Sequence, residues 1–126
     1  MPASDTPHLP YPAPIDAYGD GGFRFAGLSH RGSLLCLPDG IWAWPVANPQ
    51  AVTADTLAPV FEAAARIDLF ILGTGHDPWV APPALRERFR EYALRWEAMP
   101  TSAAIRTYNV LIAEGRRVAA ALIATA

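Results

Sequence analysis

The segment Leu69–His76 reads LFILGTGH, an apolar run broken by Gly73-Thr74-Gly75. Dinucleotide sites begin in this way, because glycines let backbone N–H groups approach a pyrophosphate at a helix start. That fingerprint also needs a third glycine three residues later and a helix opening directly on the turn. Position 78 is proline, and the next helical pattern waits for Pro82-Pro83, so both requirements fail. A sharp turn off a strand, made with glycine's conformational freedom, accounts for the segment.

A second near miss is Gly27-Leu28-Ser29-His30-Arg31-Gly32. A nucleophile elbow has one residue fewer before its closing glycine and lies between a strand and a helix. Here two strand patterns flank the segment, which reads as a turn. His8, His30 and His76 are scattered and form no HxH or HExxH arrangement, so no zinc site is expected. Cys36 alternates with apolar neighbours and reads as a small buried hydrophobe. Trp42 and Trp44 share one face of a strand, as i and i+2 must. Little basic charge surrounds them, which favours packing or a protein contact over base stacking. On the helical pattern after Thr101, Arg106 and Asn109 lie about 60° apart, away from an inward face of Ala104, Tyr108, Leu111 and Ile112. That pair reads either as a solvated stripe or as two groups aimed at a cleft.

Composition removes further chemistry. All ten cationic side chains among the 126 residues are arginine, which excludes lysine Schiff bases, a P-loop and a standard kinase site. One cysteine cannot form an internal disulfide or a CxxC pair. A net charge of −2 leaves no footprint for nucleic acid or an anionic membrane. The longest apolar run, VAAALIATA, is too short to span a bilayer, and the N-terminus lacks the regions of a secretory leader. A cytoplasmic single domain is expected, with no catalytic residue, metal or cofactor assigned.

The elements that must position these residues follow from periodicity. Residues 1–14, with five prolines, read as a disordered or extended arm whose deletion to residue 12 would alter melting little. Residues 15–126 read as one domain. Short strands are expected over 15–18 and 23–27, around a GDGG turn. GSLLCLP and IWAWPV form a hairpin about Asp39-Gly40, a pair suited to a primed turn. Helical spacing then covers 55–67, followed by a buried strand at 68–72. Pro82-Pro83 opens a helix to about Leu94, a strand covers 95–99, and a third helix runs from a Thr101 or Ser102 cap to Gly115. Residues 117–123 form the last strand. Strands first and α-β alternation after imply an α/β fold with a mixed central sheet and helices packed on it.

If the strands at 68–72 and 95–99 are parallel neighbours, their C-terminal ends share an edge and Gly73-Thr74-Gly75 faces the start of the third helix. A cleft of Gly73, Thr74, Gly75, Arg106 and Asn109 would then suit a carboxylate or phosphate.

The blocks DAYGDGGFRFAG, GSLLCLPDGIWAWP, FILGTG and AIRTYNVLIAEGRRVAAALI occur in an order that resembles one small family. It includes mitochondrial complex I assembly factor 3 and the adipogenesis-associated Mth-type domain protein, with bacterial members, and the resemblance runs from about Ile15 to Ile123. It implies three layers (β+α/β/α): a mixed central sheet, helices on its faces and an added N-terminal β-hairpin layer. It implies no settled enzymatic activity. For the mitochondrial members it implies a role in assembling a membrane respiratory complex, hence a protein partner and a peripheral place at the inner face of the cytoplasmic membrane. Many members carry cysteine where this chain has Ile105, which argues against a thiol mechanism here. Two functions are therefore carried forward. One is a non-catalytic interaction protein with Trp42 and Trp44 in its contact surface. The other is a small-molecule or anion binder, or an enzyme, using the Gly73-Thr74-Gly75 and Arg106 cleft.

Overall fold

The computed structural model describes residues 7–126. Its elements run β1 (Ala17–Gly19), β2 (Gly22–Phe25), β3 (Leu28–Arg31), β4 (Ser33–Leu37), β5 (Gly40–Trp44), α1 (Ala58–Glu62), β6 (Leu69–Gly73), α2 (Pro83–Glu91), β7 (Trp96–Met99), α3 (Thr101–Ala113) and β8 (Val118–Leu122). The central sheet has the order β5-β4-β8-β6-β7. The β5-β4-β8 side is antiparallel, and β6 pairs in parallel with both β8 and β7. Strands β1, β2 and β3 form a separate antiparallel meander.

Two apolar layers hold this arrangement together. On one face of the central sheet, Leu35, Trp44, Phe70 and Leu72 pack with Val60 and Phe61 of α1 and Leu85 and Phe89 of α2. On the other face, Leu34, Cys36, Ile41 and Ile71 meet Phe23 and Phe25 of the meander and Ala104, Ile105 and Tyr108 of α3. The small residues Ala119, Ala120 and Ala121 of β8, all fully buried, let both layers close on the central strand. The result is the three-layer α/β fold expected. The added layer, however, is a three-stranded meander, and the hairpin at Asp39 is one end of the central sheet.

Turn chemistry explains the difference. Asp20 and Gly21, then Ala26 and Gly27, all have positive φ and form two-residue loops between β1 and β2 and between β2 and β3. These are the primed turns of the molecule. The segment read as a turn at 28–31 is therefore strand β3, hidden in the sequence because its side chains are mostly exposed. In the β4–β5 hairpin the pair flanking the loop is Leu37 and Gly40, so Pro38 and Asp39 make the turn. Gly40 is needed for closeness: a Cβ there would come 2.4 Å from the Leu9 carbonyl oxygen.

That contact also corrects the arm. Leu9 and Ala13 are buried, and Ile41 exchanges backbone hydrogen bonds with Leu9, donating at 2.9 Å and accepting from the His8 amide at 2.8 Å. From His8 onward the segment is a strap along β5; the start of the expected arm, residues 1–6, lies outside the described residues. The helix expected over 55–67 is only α1 and a short 3-10 turn at Ala64–Arg66. Thr53 and Thr56 bond each other's backbone amides at 2.9 and 3.2 Å, and Pro59 sits in the first turn, so helix starts late. Helix α2 stops at Glu91 rather than Leu94, because Ala93 adopts a left-handed φ of 52°. The amides of Ala93 and Leu94 then reach back to the carbonyls of Arg90 and Phe89, both at 3.0 Å, in a Schellman cap.

Candidate functional site

Strands β6 and β7 are parallel neighbours, and Gly73-Thr74-Gly75 does face the start of α3. The junction is closed from within. The Gly75 amide donates to the Thr101 hydroxyl at 2.9 Å, and that hydroxyl donates to the Ile123 carbonyl at 2.8 Å. The Thr101 amide is taken by the Gly75 carbonyl at 3.0 Å. The Thr74 hydroxyl donates to the Asp77 carbonyl at 3.2 Å, and Thr74 and Thr101 are both buried. A Cβ on Gly73 would lie 3.1 Å from Ala104, Leu122 and Thr101, so glycine here permits a helix to pack onto a strand end. Thr101 therefore acts as a buried strut across three segments, not as the helix cap expected of it.

Arg106 and Asn109 do not join this junction. Asn109 clamps the segment before β1: its carbonyl accepts from the Ile15 amide and its amide donates to the Ile15 carbonyl, both at 2.9 Å. Tyr108 donates to the Ala13 carbonyl at 3.2 Å beside it. Arg106 is exposed and has no ion-pair or hydrogen-bond partner among the described residues. Gly73, Thr74 and Gly75 are thus brought together, while Asn109 serves the N-terminal segment and Arg106 stands in solvent.

The two tryptophans also divide. Trp44 is buried, with its indole N–H donating to the Thr56 carbonyl at 2.8 Å, and it ties β5 to the segment before α1. Trp42 is half-buried and lines a groove of about 490 Å³ between β5 and α1. Ala43, Pro45, Ala58 and Pro59 contribute apolar wall, and Asp39, Asp55, Glu62 and Arg66 form the rim. The size is within the range of small-ligand and side-chain pockets. Arg66 pairs with Asp39, whereas Asp55 and Glu62 have no ion-pair partner among the described residues. This acidic rim went unread in the sequence. The sequence gives no signal for the pair, since Asp55 lies in the turn before α1 and Glu62 at its end, so no helical period links them.

A second depression, of about 480 Å³, lies on the meander between Tyr18, Arg24 and Arg31. Its arginines are engaged locally, Arg24 with the Ser29 hydroxyl at 3.3 Å and Arg31 with the Asp20 carbonyl at 3.4 Å. Cys36 is buried against Tyr108, and burial pushes its thiol up to about 12, so it stays protonated and unreactive at neutral pH. No group of three or more His, Cys, Asp or Glu side chains could hold a metal ion among the described residues. Among them, too, no helix is long and apolar enough to cross a membrane.

Fold and groove together define a small three-layer α/β domain with an open apolar groove at one end of its sheet. The chain belongs to the family described as protein of unknown function DUF498/DUF598, whose profile matches residues 15–123. It is 30% identical over 109 residues to NADH dehydrogenase (ubiquinone) 1 alpha subcomplex assembly factor 3 of Mus musculus, a match covering 86% of this chain and 59% of the mouse protein. This chain thus spans under two thirds of that relative's length. A crystal structure titled as an outer membrane protein from Bartonella henselae superposes with a TM-score of 0.90 at 44% identity, covering 94% of this chain and 100% of that one. The solution structure of Rpa2829 from Rhodopseudomonas palustris gives 0.82 at 52% identity, covering 98% and 91%. A likeness of fold alone extends to MT938, with a TM-score of 0.60 at 19% identity, covering 90% and 99%.

Proposed function

We propose that this protein is a non-catalytic interaction factor that assists the assembly of a membrane respiratory complex, docking through the groove lined by Trp42. The observation that carries the reading is the similarity to assembly factor 3 across 86% of the chain. The groove supports it, since an open apolar surface beside an outer strand suits a polypeptide partner. Trp44 contributes by holding the groove's wall. The proposed setting is the cytoplasm, at the inner face of the membrane.

The test is purification of the tagged chain at native expression from its own host, after mild detergent extraction of membranes. Subunits of the NADH dehydrogenase should co-purify with the wild type and be depleted with Trp42→Ala, and deleting the gene should lower the assembled complex. An unchanged complex in the deletion strain, with no membrane subunits recovered, would overturn the reading. The other reading, an anion site at Gly73, Thr74, Gly75, Arg106 and Asn109, draws support from Arg106 alone, a free guanidinium one turn into α3. Phosphate titration of the wild type against Arg106→Ala tests it.

A further inference from the structure

The Trp42 groove has two unspent features that point to one kind of occupant. The first is charge. Asp55 and Glu62 stand at an apolar groove without an ion-pair partner among the described residues, while the rim guanidinium of Arg66 is committed to Asp39. Two carboxylates beside low-dielectric walls attract a positive group and reject an acidic one. The second is the indole of Trp42, half-buried and so open on one side, where a cation can settle over the ring.

We infer that this site takes a partner segment that places an arginine or lysine side chain, flanked by apolar residues, in the groove between Trp42, Asp55 and Glu62. The inference rests on the docking role proposed above and adds the partner's chemistry to it.

The test is selection from a random decapeptide display library on the full-length protein, followed by fluorescence anisotropy with the selected peptides made synthetically. Enriched sequences should carry one Arg or Lys between β-branched or aromatic residues. Their affinity should fall with salt, and by about tenfold or more in Trp42→Ala and in the double variant Asp55→Asn, Glu62→Gln, as expected for a desolvated anchor. Circular dichroism melts confirm that each variant is folded, and a Glu62→Gln single variant serves if the double variant is not. The inference is overturned by enrichment of uncharged or acidic peptides, by binding indifferent to the double variant, or by no enrichment. It is equally overturned if the groove instead joins two copies of the chain, seen as a dimer that Trp42→Ala dissolves. An uncharged peptide lost in Trp42→Ala would sink the basic partner and leave the docking role intact. A basic peptide bound by a protein whose deletion spares the respiratory complex would do the reverse.

Discussion

The turn at Gly73-Thr74-Gly75 follows β6 and the groove at Trp42 lies against β5, two strands separated in the sheet by β8 and β4. By residue type the first looks like a ligand site and the second like core. The structure reverses that order, because the turn has spent its bonding capacity and the groove has not. At the turn, the hydroxyls of Thr74 and Thr101 bond backbone groups of the same chain, and the space beside Gly73 is filled. At the groove, Asp55 and Glu62 have no ion-pair partner and the Trp42 indole has no hydrogen bond among the described residues. A residue's capacity for chemistry is legible in its type; whether that capacity remains available depends on what the fold packs against it.

The largest expected effect tests whether the turn is closed. Thr101→Val keeps the shape and removes the hydroxyl, leaving the Gly75 amide and the Ile123 carbonyl buried without partners. Each orphaned group costs about 1–3 kcal/mol, so a loss of about 2–6 kcal/mol is expected in urea unfolding. A stability change below about 0.5 kcal/mol, the range of ordinary surface substitutions, would mean that the junction is open and would break the comparison.

Next comes Asn109→Ala. Two hydrogen bonds to Ile15 disappear in a partly buried setting, and the expected loss is about 1–2 kcal/mol. Because the clamp fixes the segment that leads into β1, amide hydrogen exchange should rise at Ile15 and along β1 while β6 keeps its protection. Uniform loss of protection would show instead that Asn109 supports the whole core.

Legibility in the sequence followed the same division. The strand at Leu69–Gly73, its parallel neighbour Trp96–Met99 and the long helix ending at Gly115 were readable because buried runs and a glycine stop carry strong signals. The three-layer class followed from the alternation and from the family blocks. Strand β3 was not readable: Leu28, Ser29 and Arg31 are exposed, and the first position of its loop is Ala26 at positive φ, a residue type that gives no turn signal beside Gly27. The strap's burial was not readable because the proline-rich stretch hides its buried anchors, Leu9 and Ala13. Asp55 and Glu62 were missed because a carboxylate's lack of a partner is a property of the folded surface.

Trp42→Ala sharpens the other side. Trp42 is half-buried on an outer strand, and no hydrogen bond of its indole is present among the described residues, unlike Trp44. A stability loss of about 1 kcal/mol is expected, small for a tryptophan, together with loss of the peptide affinity described above. Trp44→Phe provides the contrast, since it abandons the Thr56 carbonyl and should cost about 1–2 kcal/mol. If Trp42→Ala proved the more damaging of the two, the groove would be core.

Arg106→Ala carries the smallest expected effect and discriminates most sharply between the two regions. Arg106 is exposed on the middle of α3 and pairs with no acid among the described residues. Alanine is at least as good a helix former as arginine, and exposed positions of this kind move stability by no more than about 0.5 kcal/mol. The same substitution removes the cation on which the anion reading of the Gly73-Thr74-Gly75 turn depends. If the turn is closed, as its hydrogen bonds indicate, phosphate and carboxylate titrations followed by amide chemical shifts at Thr74, Gly75 and Thr101 should be flat in both proteins. Shifts that saturate in the wild type and vanish in Arg106→Ala, with stability unchanged, would make the turn an anion site despite its internal bonds. In that event the buried strut at Thr101 would have to open to admit the ligand, and the Thr101→Val variant, already destabilised, should bind phosphate differently from wild type. Flat titrations in all three proteins leave the unspent capacity of the molecule where Trp42, Asp55 and Glu62 stand.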